Sequence, residues 1–109
     1  MFDNQEAYRK QQINIQYRDA MRKADRLEEL ANRLSRRAAV EIENLSDDIN
    51  RQWEGDEAVL FLKKAAIIES DISKTVKNIR ECATTIRRIA EQALQKERLS
   101  IEPENGNTV

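Results

Sequence analysis

The residue types that most often perform catalysis or bind metals are sparse in this sequence. It contains no histidine and one cysteine, Cys82. The lack of histidine excludes imidazole-based metal sites and histidine-dependent catalysis. Close acids such as Asp47 and Asp48 point in different directions on a helix, so they cannot act as a carboxylate pair. We therefore predict that the protein is not an enzyme and has no catalytic residue, metal site or cofactor.

The remaining reactive or charged positions have ordinary structural interpretations. Cys82 lies at helical spacing between Ile79 and Ile86, which predicts a small residue in a helix–helix seam. Arginines cluster between residues 22 and 37, but Asp25, Glu28 and Glu29 are interleaved with them and no aromatic residue accompanies them. This pattern favours a solvated face over a nucleic-acid site. No apolar run is long enough to span a bilayer, so we expect no membrane partner. The N-terminus Met-Phe-Asp-Asn-Gln-Glu is polar and acidic, so we expect no signal peptide.

Net charge is −1, but its distribution along the chain is uneven. Residues 41–57 carry seven acids and a single base, Arg51, whereas the remainder carries 18 bases and 13 acids. A chain that folds back in this region would have an acidic turn end and a basic open end. This charge distribution has two equally good interpretations. The charged residues form a solvated face with a local charge excess, or they form a functional surface.

The segment from Arg51 to Glu57 separates two long helical segments. Gly55 can adopt the left-handed conformation that ends a helix, and Asp56 can cap the next one. Trp53, the only tryptophan, lies two residues before Gly55. We give equal weight to two roles for Trp53: a plug over the hairpin end, or a recognition determinant.

Apolar residues recur in steps of three and four on both sides of this turn, which predicts two amphipathic helices. The first stripe runs from Ile13 through Leu45 to Ile49. The second continues through residues 58, 61, 65, 68, 72, 75, 79, 82, 86, 89 and 93, widened by Val76, Ala83 and Ala90. We predict helix one over about residues 6–52, a turn at 53–56, helix two over about 57–99 and a disordered tail at 100–109.

A short connection makes the two helices antiparallel neighbours. The fold class is therefore all-α, a helix-turn-helix hairpin of two long coiled-coil-like helices. Alanines of one stripe should face larger residues of the other, with Ala38 near Ile72 and Ala31 near Ile79. Further apolar residues fall outside both stripes, which predicts a partner-binding surface and a four-helix bundle with another helical chain. The predicted partner-binding residues are Val59, Leu60, Ile67 and Val40.

The Trp53-Glu54-Gly55 turn, in the middle of a hairpin of about one hundred residues, resembles the WXG family of small type VII (ESX) secretion proteins. The following Asp56-Glu57-Ala58 and Phe61 are similar to that family's opening of helix two. The resemblance covers roughly residues 27–93. It implies a secreted dimer or a targeting partner of a larger LXG-type effector, with Trp53 and Gly55 as the recognition motif.

One family feature is absent. Typical members carry a tyrosine four residues before an acid after helix two, whereas this chain has Ala93 and Glu97 at that spacing. The resemblance thus favours a companion whose partner supplies the export signal, located in the bacterial cytoplasm before export through a type VII system. The partner would be an LXG-type effector, a WXG paralogue or a second copy. The alternative is a cytosolic coiled-coil adaptor unrelated to secretion.

Overall fold

The computed structural model describes the backbone of residues 2–101 and the side chains of residues 4–99. It consists of helix α1, Phe2–Gln52, and helix α2, Asp56–Ile101. The predicted all-α helical hairpin is confirmed, and the described residues include no strand. Both helices are long because good helix formers dominate and neither helix contains an interior glycine or proline.

The predicted helix ends differ from the observed ones by a few residues. α1 begins at Phe2 rather than near residue 6, and it ends at Gln52 as predicted. α2 starts one residue earlier than predicted and continues to Ile101, through the first two residues of the predicted tail. The remaining residues of that tail, 102–109, lie outside the described residues.

The chain divides into two compact units. The turn unit is Leu27–Glu81, and the terminal unit combines the residues up to Arg26 with those from Cys82 onward. In the turn unit, Arg80 donates a hydrogen bond to Asn32 Oδ1 at 3.0 Å. Each of these two residues follows directly after one member of the predicted pair, Ala31 and Ile79. In the terminal unit, Arg87 contacts Asp25 at 2.7 Å and Arg9 contacts Glu97 at 3.2 Å. Each unit therefore contains antiparallel cross-helix contacts.

Small residues occupy the interface between the helices. The buried hydrophobic positions are six alanines and one valine: Ala24, Ala31, Ala58, Ala65, Val76, Ala83 and Ala90. Larger residues such as Leu34, Ile72 and Ile86 are only half-buried beside them. This arrangement is expected where small side chains at the contact let two helix axes approach closely.

Several residues predicted to lie in the seam are exposed instead. They are Leu45 on α1 and Ile68, Thr75, Cys82, Ile89 and Ala93 on α2. The prediction that Cys82 is a seam residue is wrong, because its neighbour Ala83 occupies the contact. Steps of three and four mark an apolar stripe on each helix. A stripe this wide is covered only in part by the other helix of the hairpin. Here the covered part passes through Val76, Ala83 and Ala90, which the sequence assigned only to the margin.

Candidate interaction surface

The connection between the helices is built by two backbone hydrogen bonds. The Trp53 N–H donates to the Ile49 carbonyl at 2.9 Å, which closes α1, and the Val59 N–H donates to the Gly55 carbonyl at 3.2 Å, which opens α2. Gly55 has φ of +87°, as predicted from its position. A Cβ at Gly55 would meet no atom within 4 Å, so glycine is favoured there by backbone conformation and not by space.

These hydrogen bonds correct the predicted role of Asp56. Because the Gly55 carbonyl accepts the first bond of α2, Gly55 stands at the N-cap position and Asp56 becomes the first residue of the helix. Asp56 and Glu57 lie in the first turn of α2, where negative charge is favourable beside the helix N-terminus. Asp56 thus contributes through the helix dipole and not as the predicted cap residue.

Trp53 follows the last residue of α1 and is 48% exposed. A side chain that plugged the hairpin end would be largely covered, whereas about half of this residue remains accessible. Indole combines a large apolar area with one N–H donor, a combination common at protein interfaces. Trp53 is therefore available for contact with another molecule, while its covered half packs against the chain.

The four residues predicted to bind a partner are all exposed in the turn unit. Leu60 is 54% and Ile67 60% exposed, and Val59 and Val40 lie in the same range. Their exposure satisfies a requirement for a binding surface; partner binding through them stays a prediction.

These four side chains do not form one continuous patch. With 100° per residue, Leu60 and Ile67 lie about 200° and 180° from the buried Ala58, on the surface of α2 that faces away from α1. Val59 lies about 100° from Ala58, on another side of α2. Val40 lies about 160° from the half-buried Ile42, on the outer surface of α1. Of the four, Leu60 and Ile67 therefore share one face of α2, two helical turns apart.

The turn unit also contains a shallow cleft between the helices. Its volume is about 260 Å³, and Ala38, Ile42, Ile72 and Val76 line it together with polar side chains such as Ser35 and Ser73. The predicted neighbours Ala38 and Ile72 thus line the same cleft. Its small side chains leave a notch, which Glu69 and Arg80 also line.

The terminal unit contains a larger and more apolar groove of about 370 Å³. Its apolar walls include Ile13, Tyr17 and Ala20 on α1 and Ile86, Ile89 and Ala93 on α2, and the polar Gln16 and the acidic Glu97 also line it. The sequence pattern does not predict this groove, because these residues lie on the apolar stripes expected to form the helix–helix seam. One sequence feature could have predicted the groove. The apolar stripe on α2 is wider than a single neighbouring helix can cover.

Charged side chains around the terminal unit are partly engaged with each other. Besides the two cross-helix pairs, Lys23 contacts Asp19 at 2.9 Å. The hydrogen bond and positive charge of Lys23 hold the pKa of the Asp19 carboxyl below its usual range. Asp19 is consequently a stable carboxylate at neutral pH.

Other classes of site lack support in the described part of the chain. Among residues with described side chains, no three acids or cysteines are grouped so that they could hold a metal ion. Neither of the two helices, over the residues described, combines the length and apolarity that crossing a membrane requires. No protein-family model matches the sequence, and neither a curated protein nor a solved structure matches it.

Proposed function

We propose that this chain is an interaction protein of a bacterial type VII secretion system. In this role it is a WXG-like companion that accompanies a larger LXG-type effector by helix–helix packing. The observation that carries the proposal is the half-exposed Trp53 beside the positive-φ Gly55, at the connection of a two-helix hairpin. The Trp53-Glu54-Gly55 motif supports the same proposal, because it resembles the turn of the WXG family.

The surface of the turn unit supports a partner role. Leu60 and Ile67 are exposed on the outer surface of α2, two helical turns apart. Exposed apolar side chains repeating along a helix suit a partner helix that lies along them. Covering them would remove apolar area from water and thereby stabilise a complex.

Export assays test the proposal. The source bacterium, with its type VII system intact, should export little of this protein when it is expressed without its effector and more when the effector is co-expressed. Export should stop in an isogenic strain that lacks the secretion ATPase. Mass spectrometry of the purified complex identifies the effector.

The Trp53→Ala variant measures the contribution of the turn, and we expect it to lower the exported fraction of the co-expressed pair. Tyr8→Ala is a matched control, because Tyr8 is another exposed aromatic residue in a different unit. Efficient export of this protein alone, independent of Trp53, would contradict the companion role. Retention inside the cell with and without every partner tested would favour the coiled-coil adaptor.

A further inference from the structure

We propose that the outer surface of α2 between Asp56 and Asp71 binds a helix of a different protein, with acidic residues at the centre of that helix and basic residues toward its ends. This inference rests on the proposed function, since it specifies the charge pattern of the helix that the partner contributes. The apolar part of this surface is the exposed pair Leu60 and Ile67. The charged residues on the same face of α2 determine which helix can cover that pair.

Two lysines lie between the two apolar residues along α2 and flank them on both sides. With 100° per residue, Leu60 and Ile67 lie about 200° and 180° around the helix from the buried Ala58. Lys63 lies at about 140° and Lys64 at about 240°, so each is about 50° from the centre line of the apolar pair. Both lysines are exposed, and neither forms a salt bridge among the described residues. A helix that covers the apolar pair therefore passes between two positive charges.

One aspartate lies beyond each end of the apolar pair. Asp56 precedes Leu60 by four residues and lies at about 160°, on the same face of α2. Asp71 follows Ile67 by four residues and lies at about 220°. Both are exposed, and neither carboxylate forms a salt bridge in the part of the chain with described side chains. Lys74 lies about one turn further along α2, beyond this segment.

Charge along this surface is therefore negative, then positive at the two lysines, then negative. A helix with the opposite order, which is basic, acidic and basic, meets complementary charge along the whole segment. Because the order is symmetric, such a helix can lie in either direction. Its apolar residues would cover Leu60 and Ile67, which removes their exposed area from water and favours association.

The same order of charges disfavours a second copy of this chain. Two copies can cover the whole apolar pair symmetrically in two ways, either antiparallel with Leu60 of each copy against Ile67 of the other, or parallel in register. In both alignments the lysines of one copy meet lysines and the aspartates meet aspartates, because the charges are symmetric about the midpoint of the apolar pair. Like charges at close range oppose association. A helix of different sequence is therefore the better occupant.

Two fluorescent peptides of identical composition test the inference with the full-length protein. Each is an alanine-based helix of about 18 residues, or about 27 Å, with leucines along one face. The acidic-centre peptide has two glutamates beside the leucines at its centre and one lysine toward each end, and the basic-centre peptide has these two residue types exchanged. Fluorescence anisotropy should show that the acidic-centre peptide binds at least about fivefold more tightly. Net charge and apolar area are equal in the two peptides, and circular dichroism checks that their helicity is equal too.

Charge reversal on the protein should reverse this preference. With Lys63→Glu and Lys64→Glu combined, the basic-centre peptide should bind more tightly than the acidic-centre peptide. The single change Lys64→Glu should lower the preference for the acidic-centre peptide. Lys77→Glu is its matched control, because Lys77 is an exposed lysine of α2 in the same unit but lies about 90° from the centre line of the apolar pair. It should leave the preference as in the wild type.

An apolar variant locates the contact without adding charge. Leu60→Ala should weaken binding of both peptides, because both cover Leu60 with the same leucines. Leu30→Ala is the control, since Leu30 is also exposed but lies on α1. It should leave both affinities unchanged. Circular dichroism checks that each variant retains its helical content.

Three outcomes would overturn the inference. The first is equal affinity for the two peptides or no binding of either, and the second is an unchanged preference in the variant with both lysines reversed. The third is a doubled mass of the protein alone in sedimentation that Leu60→Ala lowers, because a second copy would then cover this surface. Loss of the peptide preference together with Trp53-dependent export would reject this charge pattern and leave the proposed function standing. The peptide preference without such export would do the reverse.

Discussion

Single positions along α2 show how sharply residue environments alternate in this hairpin. Cys82 is exposed, whereas Ala83 has no accessible surface. Successive residues of a helix are separated by about 100° around its axis. A shift of one position along the helix therefore decides whether a side chain contacts the opposite helix or the solvent. At Ala83 the contact is close enough that only a small side chain fits.

This alternation predicts opposite effects of leucine at two adjacent positions. Ala83→Leu should destabilise the protein by about 1–3 kcal/mol, because extra methylene groups in a filled contact force the helices apart. Cys82→Leu should change the free energy of unfolding by less than about 0.5 kcal/mol, as is usual for exposed sites. Urea unfolding followed by circular dichroism measures both values. A larger loss from Cys82→Leu would show that the seam passes through Cys82.

At the scale of the helices, the sequence predicts the architecture well. Gly55 is the interior glycine between two glycine-free and proline-free segments, and it has the predicted positive φ. The antiparallel pairing follows from the short connection. The predicted contact of residues 31 and 79 is close to the observed contact of Asn32 and Arg80. Local conformational preferences and chain connectivity are enough to specify these features.

The rotation of each helix about its axis is less predictable from the sequence. Alternating steps of three and four fit the exposed Ile89 as well as the buried Ala90, since both positions lie on the same wide stripe. The choice depends on how closely the two axes approach, which is a property of the packed pair and not of either sequence segment. For this reason the sequence pattern does not predict the terminal groove.

Disulfide cross-linking tests the observed pairing of the helices. Cysteines at positions 38 and 72 in a Cys82→Ser background should form a bond within one chain, because Ala38 and Ile72 line the same cleft. Positions 38 and 65 provide a mismatched control, since residue 65 is displaced from residue 72 by seven residues, or about 10 Å along the helix. Non-reducing electrophoresis and mass spectrometry distinguish the products. Bonds only between chains, or equal yields from both pairs, would contradict this register.

At the scale of the whole molecule, the two helices cover small residues and leave many large ones accessible. Leu30, Ile67 and Ile89 are all exposed, although each would be favoured in an interior. A hairpin buries one stripe per helix, so a chain of this size gains little core from its own folding. Additional helices from another chain would increase the buried apolar area. This is the physical reason for expecting a partner, independently of the turn motif.

The turn unit provides the most direct test of association. Leu60→Asp combined with Ile67→Asp places two charges on the outer surface of α2, where burial against a partner would leave them without counterions. Covering the exposed half of each native side chain should contribute at least about 1 kcal/mol to the free energy of association. The double variant should lose this contribution and no longer bind the partner. Leu30→Asp is the control, because Leu30 is exposed but lies outside the predicted surface.

Pull-down of the effector identified from the export experiment and light scattering of the purified proteins report the outcome. We expect the double variant to fail to bind the effector while its circular dichroism spectrum remains helical, since neither residue contributes to the buried seam. Leu30→Asp should bind as the wild type does. If the double variant keeps full effector binding and an unchanged mass, the partner packs on another surface. The terminal groove, tested by Ile89→Asp in the same pull-down, is then the next surface to examine.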